Sequence, residues 1–245
     1  MSVAGQTPHG ASGAEHEDAF VLHARPYQET SQIIEALAAH HGRVGLVAKG
    51  ARRPTSRWRS ILQPFMPLRL SWFGRGDLHT LRSAESASYA PILEGVSLMG
   101  AFYLNELILN FVRRGDPHPG LFIAYSQALA ELRAGPAPEP ALRRFELQLL
   151  AEAGYGLNLE RNVLDDSPLD PAGTYEYRLE QGPVPALRTA PGLILSGAEL
   201  LAIGQGDFST APVLHAAKRL LRAVLAHHLD GRTLKTRAVL ASMRR

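Results

Sequence analysis

A chain of 245 residues can bury a real core and divides most naturally into two domains, or one domain with an appendage. It contains no cysteine, which excludes disulfides, thiolate zinc sites, iron–sulfur clusters and cysteine nucleophiles. The formal net charge is only +3, yet residues 36–76 hold eight basic residues and no acid, residues 139–180 hold nine acids against four arginines, and residues 208–245 hold eight basic residues against the single Asp230; charge segregated in this way marks a polyanion site more often than plain solubility.

Residues 1–17 are Gly, Ser, Ala, His and Glu without an apolar centre, so a disordered lead-in is expected, neither a secretory signal nor a transit peptide. No apolar run approaches the roughly 18–20 residues of a membrane span, and a cytoplasmic protein is expected. From Ala19 to about Glu85 the texture is strands and turns. Ala19–Ala24 is a short apolar strand, and Arg43–Val44–Gly45–Leu46–Val47–Ala48 a second, led by Gly42. In Phe65–Phe73, Leu68, Leu70 and Trp72 alternate with Arg69 and Ser71, the period of two of a half-buried strand. Gly74–Asp77 then turns the chain into Leu78–Arg82. Ser31–Ala39 fits a helical face through Ile33, Ile34 and Leu37, but its context favours a strand. Short strands packed this densely predict a small barrel closed by pairing the first strand with the last, with Pro64 and Pro67 at an edge or bulge.

After Pro91 the texture becomes helical. Leu98–Val112 is apolar almost all round, with Asn105, Glu106 and Asn110 on a narrow polar face, which predicts a central helix. Asp116–Pro119 breaks the chain, and Leu121–Leu132 and Ala141–Ala153 follow as helices, the latter with Pro140 in its first turn and Gly154 as its stop. Residues 155–195 are loop-rich, with weak strands at Tyr175–Leu179 and Leu193–Leu195. Ser196 and Glu199 spell a capping box. Pro212 opens the last long helix, Val213–Leu229, with Leu214, Ala217, Leu221, Val224 and Leu225 toward the core.

No nucleophile elbow, Walker A loop, zincin or dinucleotide fingerprint occurs. The adjacent pairs His40–His41 and His227–His228 diverge on helix and strand alike, so neither chelates a metal alone, and both are read as surface histidines. Asp165, Asp166 and Asp170 are read as a solvated acidic turn. The basic block remains. Lys49, Arg52, Arg53, Arg57 and Arg59 leave a strand on one loop, with Trp58 among them and Phe65, Trp72 and Phe73 behind. Cationic side chains neutralise phosphates and rings stack on bases, so this segment is expected to take nucleic acid with little sequence preference. Arg43 and Arg25 are counted with it. A second feature is Arg143–Arg144, on a helix otherwise buried through Leu142, Phe145 and Leu149; two arginines there would take an acidic, hydrophobic-tipped peptide or, more plainly, balance Glu139 and Glu146.

Arg25–Ser31, Gly42–Arg52, Leu62–Phe65, Tyr103–Leu107, and Leu142–Glu146 followed by Gly154–Gly156 resemble, in order, the RecO family of bacterial recombination mediators. The likeness runs from about residue 18 to residue 240 and takes in Lys218–Arg219 and Leu234–Arg237. It implies an α+β multidomain chain: an N-terminal OB-fold β-barrel over 18–90, then an α-helical domain over 91–245 with a loop-rich insert at 160–195. It also implies a non-enzymatic role without cofactors. The family binds single- and double-stranded DNA, anneals complementary strands, and works with RecR and RecF to replace single-stranded-DNA-binding protein (SSB) by RecA. The family's DNA-binding residues correspond to Lys49, Arg52 and Arg53, to which Arg57 and Arg59 are added on charge. Its residues for the SSB C-terminal tail correspond to Arg143 and Arg144. Lys218, Arg219 and Arg222 are expected as a secondary DNA contact. Some relatives carry four cysteines as a zinc site after the Gly–Tyr–Gly segment; Asn162 stands near the first position here, so the insert is expected to hold itself by packing through Leu164, Tyr175, Tyr177 and Leu187. The alternative is an adaptor that docks SSB and RecR with little DNA binding of its own. A nuclease would need carboxylates beside the basic block, and residues 36–76 offer none.

Overall fold

The computed structural model describes residues 13–135, 137–186, 192–236 and 239. They form two compact units, one of residues up to 92 together with 112–122, the other of 93–111 and the residues from 123 onward.

The first unit is a closed five-stranded barrel with β1 at Ala14–Tyr27, β2 at Ser31–Ala38, β3 at Gly42–Ala48, β4 at Pro67–Phe73 and β5 at His79–Ser86. A one-turn helix, α1 (Trp58–Ile61), lies between β3 and β4. The order is β1-β2-β3-β5-β4, and β4 returns to β1. Closure therefore differs from the expected pairing of first strand with last: β5 runs parallel to β3 and places β4 against β1. This is the strand order of the OB architecture. Period-two alternation fills the interior with Val21, Ile34, Ala36, Val44, Leu46, Leu68, Leu70, Trp72 and Leu81. Pro67 opens β4, where its missing N–H is harmless.

β1 starts at Ala14, inside the expected lead-in, because its polar first half pairs with β4: Ala14 faces Trp72, Glu17 faces Leu70, and the His16 N–H donates to the Ser71 hydroxyl at 3.0 Å. Residues 1–12 lie outside the described set. Glu17 is nearly buried there, its carboxylate accepting the His40 backbone N–H at 2.6 Å and facing the His41 ring nitrogen at 3.2 Å. Burial pushes this carboxyl up, but the hydrogen bonds from His40 and His41 outweigh it and hold it below its ordinary value.

A strand of an open-faced barrel wets its outer side, yet β2 is buried on both sides: Ile33, Glu35 and Leu37 as well as Ile34, Ala36 and Ala38. Part of the cover comes from residues 112–122, which return to the barrel after one helix. Arg114 brackets Glu35 through Nε, 3.1 Å from Oε2, and Nη2. Phe122 packs on Phe20 with centroids 5.5 Å apart. Two glycines make room. Gly45 is the cross-strand neighbour of Glu35, and a Cβ on it would lie 2.7 Å from the Arg114 guanidinium carbon. Gly42 has φ +62°, and a Cβ there would collide with the Asp116 carbonyl. By contact, residues 112–122 thus group with the barrel.

The second unit contains α2 (Gly95–Phe111), the later part of α3 (Pro119–Ala134), α4 (Glu139–Glu152), α5 (Gly197–Gly204) and α6 (Ala211–His228). Its small sheet holds β6 (Thr174–Arg178), β7 (Gly182–Pro185) and β8 (Ile194–Ser196) in the order β7-β6-β8. The polar face expected on α2 is bonded within the protein: Asn105 is buried and accepts the Tyr125 hydroxyl at 2.5 Å, while half-buried Glu106 accepts the backbone N–H groups of Lys235 and Thr236 at 2.7 and 3.0 Å. Ser196 and Glu199 form the capping box of α5. β7 went unread in the sequence because Gly182–Pro183–Val184–Pro185 has the composition of a turn. It pairs with β6 only, as an edge strand, where proline is tolerated.

Within the insert, Asn162 is buried and acts as a knot. Its side chain donates to Asp165 Oδ1 at 2.9 Å and accepts the Leu164 N–H, while its carbonyl accepts from Asp166. Tyr175 and Tyr177 are buried as expected, and burial pushes Tyr177 up to about 12. Leu164 is exposed, and Leu187 lies outside the described residues.

Candidate nucleic-acid interface

The eight basic residues of 36–76 do not share one surface. The end of β1 pairs with the start of β2 (Arg25 with Ile33, Tyr27 with Ser31), and the start of β2 pairs with the end of β3 (Gln32 with Ala48). Arg25, the β1–β2 turn and the loop leaving β3 therefore meet at one end of the barrel. Lys49, Arg52, Arg53, Arg57 and Arg59 follow on that loop and on α1, between the last residue of β3 and the first of β4, and all of them are exposed. Arg43 and Arg75 go to the opposite end, near the β2–β3 and β4–β5 turns. Arg69 lies mid-strand between Asp18 on β1 and Glu85 on β5, with Nε 3.5 Å from the Asp18 carboxylate.

The loop is built, not loose. Ala51 is buried as an anchor, and the Arg52 N–H donates to the Thr30 carbonyl at 2.8 Å. The Arg52 guanidinium reaches the carbonyls of Gln28 and Glu29 at 3.4 and 3.3 Å, tying the loop to the β1–β2 turn. Gly50, at φ +69°, and the Arg53 and Ser56 N–H groups complete two tight turns. Trp58 and Ile61 of α1 pack against the barrel core, which fixes Arg57 and Arg59 on the outer side.

Two expectations change. Arg43 is not a surface cation: its Nε lies 2.8 Å from Glu35, and its Nη1 donates to the Val112 carbonyl at 3.1 Å. Its neighbour on the same strand face, Gly45, leaves the space in which Arg114 meets the same carboxylate. Burial would raise the Glu35 carboxyl, but hydrogen bonds from Arg114 and Arg43 outweigh it and hold it below its ordinary value. The outer face of strands 2 and 3, a common binding surface of OB folds, is thereby filled by an ion cluster and residues 112–122. The second change concerns the rings. Trp72 and Phe65 are in the core, Trp72 because it continues the inward row of Leu68 and Leu70. Trp58 is half-buried, with the Arg57 guanidinium carbon 4.6 Å from its ring centre. Of the four rings named with the basic block, Phe73, at 55% exposed, is the one that offers an open face.

The two arginines of α4 are separated. Arg143 is buried, its Nη2 2.7 Å from Glu146, whose carboxylate also accepts the Tyr103 hydroxyl at 2.6 Å. Arg144 is exposed and pairs with Glu131 at 2.6 Å. On α6, Lys218 pairs with Glu139 at 2.5 Å, a contact with the acidic segment of its own chain. Arg219 donates to the Ile194 carbonyl at 3.0 Å, and Arg222 is exposed. Arg237 lies outside the described residues.

Sequence reasoning missed Arg114 altogether. It stands 79 residues from Glu35, and the only hint is that β3 carries two glycines in a strand that needs side chains. It also missed that Glu180 joins His227 and His228: a donor atom from each lies within 4.8 Å of the others. No helix among the described residues is long and apolar enough to cross a membrane.

Two family models match consecutive stretches of the chain: Recombination protein O N terminal over residues 14–90 and Recombination protein O C terminal over residues 93–238. Among curated relatives, the DNA repair protein RecO of Azoarcus sp. (strain BH72) is 44% identical over 235 residues, covering 94% of this chain and 96% of that protein. Those of Aromatoleum aromaticum and Aliivibrio fischeri are 45% and 42% identical, covering 94% and 89% of this chain and 96% and 92% of theirs. An OB-type barrel, a following helical unit, and matches that together span both place this chain in the RecO family of DNA repair proteins.

Proposed function

We propose that this protein is a non-enzymatic recombination mediator that binds single- and double-stranded DNA on the basic end of its barrel, anneals complementary strands, and with RecR and RecF helps RecA replace SSB at gaps. The observation that carries the DNA step is the gathering of Arg25, Lys49, Arg52, Arg53, Arg57 and Arg59 at one barrel end by strand register. Two strands repel through their phosphates, and a surface that neutralises both without reading bases lowers the barrier to their encounter. Rings contribute little, because Trp72 and Phe65 serve the core. Binding is therefore strongly salt-dependent and nearly indifferent to sequence.

The test is the salt dependence of binding to a single-stranded oligonucleotide. Each phosphate contact contributes about 0.7 to the slope of log affinity against log salt, so the triple variant Arg52→Glu, Arg53→Glu, Arg57→Glu should lose about 2 units of slope. An unchanged slope moves the site elsewhere, with Arg222 on α6 the next candidate. For the SSB tail, Arg144 is the proposed contact with the acidic end, and Arg143 acts through Glu146 and Tyr103 as a positioning residue.

A further inference from the structure

Glu180 occupies the β6–β7 turn, and His227 and His228 close α6. Successive helix residues point about 100° apart, so two adjacent histidines do not share a ligand by default. Here the His228 ring stacks on Tyr155, centroids 4.1 Å apart and planes 23° apart, and meets the His227 ring edge-on at 5.2 Å. His227 Nε2 stands 3.1 Å from Glu180 Oε1, and one donor atom from each of the three side chains lies within 4.8 Å of the other two. A cavity of about 260 Å³ lined by Tyr155, Asn158, Tyr177, Glu180, Val224 and His228 opens beside them.

We propose that Glu180, His227 and His228 bind one borderline divalent cation, zinc being the type case, with the remaining position filled from solvent. Two imidazoles and a carboxylate are a zinc donor set, and with bonds of about 2.0–2.1 Å the donors of a tetrahedral ion stand about 3.4 Å apart. The His227–Glu180 pair, at 3.1 Å, is within a few tenths of an ångström of that spacing. The third distance closes by rotation, because the Glu180 and His227 side chains are 65% and 42% exposed and their rotamers cost little to change. Burial, and to a lesser degree the neighbouring His227, pushes His228 below its ordinary value, with Glu180 opposing; the neutral imidazole is the form that ligates.

A bound ion ties the β6–β7 turn to the end of α6, across the cysteine-free segment between α4 and α5. The plainer reading is an exposed His–Glu ion pair. The two differ in what zinc does to stability: a ligand held at one hundred times its Kd multiplies the folded-to-unfolded ratio about 100-fold, whereas an ion pair is indifferent to zinc.

The experiment titrates tag-free full-length protein with Zn²⁺ by calorimetry and with Co²⁺ by visible absorption, which reports coordination. Thermal melts are run with and without Zn²⁺. One saturable site per chain is expected, with affinity reduced at least about tenfold in Glu180→Gln and in His227→Ala. The double variant His40→Ala, His41→Ala, which removes the histidines facing Glu17, should bind as wild type. Zinc should raise the melting temperature of wild type and not of Glu180→Gln, whose exposed position leaves folding intact. No saturable binding, or equal affinity in His227→Ala, would overturn the site and leave only the ion pair.

Discussion

At the residue scale, the adjacent arginines of α4 carry different physics. Arg143 and Glu146 are 7% and 0% exposed and share their hydrogen bonds with Tyr103. Removing one partner of a buried pair strands the other charge, which costs about 3–5 kcal/mol. Arg144 and Glu131 are each more than 40% exposed, and such pairs contribute about 0–1 kcal/mol. Urea midpoints should therefore fall sharply for Arg143→Ala and barely for Arg144→Ala. The double variant Arg143→Met, Glu146→Leu should recover much of the loss, because it removes both charges. A wild-type midpoint in Arg143→Ala would mean the ion pair does not hold the helix. A combined Arg143/Arg144 variant thus confounds folding with peptide binding, and Arg144→Glu is the cleaner probe of the proposed SSB contact. The sequence offered Glu146 as a balancing partner, and Arg143 takes it; that this pair is buried while Arg144 turns to Glu131 was not legible. The two arginines read alike there, since helical periodicity alone does not say that position 146 faces inward when it holds a glutamate.

At the element scale, local pattern and register tell different amounts. Alternation located β4, a glycine-rich turn located β5, context alone favoured a strand at β2, and the capping box and proline positions located α5 and α6, because those signals are written within a few residues. What β2 buries on its outer face is a long-range fact, decided by a segment that returns some eighty residues later. Glu35 is the part of that arrangement that answers to pH. Its carboxyl is held below the ordinary 4.5 by Arg114 and Arg43 against the opposing effect of burial. A depressed folded-state value contributes stability that is complete above 4.5 and is lost as pH falls through the folded value. In denaturation series from about pH 7 down to about pH 3, wild type should lose stability more steeply than Glu35→Gln, which starts less stable and cannot titrate there. Parallel curves would show that Glu35 is not the group being protonated.

At the scale of the whole molecule, the chain belongs to the barrel, leaves it for α2, and comes back at residues 112–122 before its final departure. Composition changes once, near Pro91, so a single boundary is the natural reading of the sequence; the return is visible only through what it touches. Those touches are not incidental. Residues 112–122 give Arg114 to Glu35, the Val112 carbonyl to Arg43, the Asp116 backbone to the space left by Gly42, and Phe122 to Phe20. A fragment of residues 1–92 would keep the five strands yet uncover the outer face of β2, leave Glu35 with one cation in place of two, and remove Phe122 from Phe20. Such a fragment should bind a hydrophobic dye and melt well below the same fragment joined by a glycine–serine linker to residues 112–122. Equal melting temperatures would make the segment a passenger. If the joined fragment is the stable one, DNA binding can be measured on the barrel alone, since every residue of the proposed basic end lies within it. A wild-type salt slope in that fragment would then assign the DNA step to the barrel, and a collapsed slope would return it to the helical unit and α6.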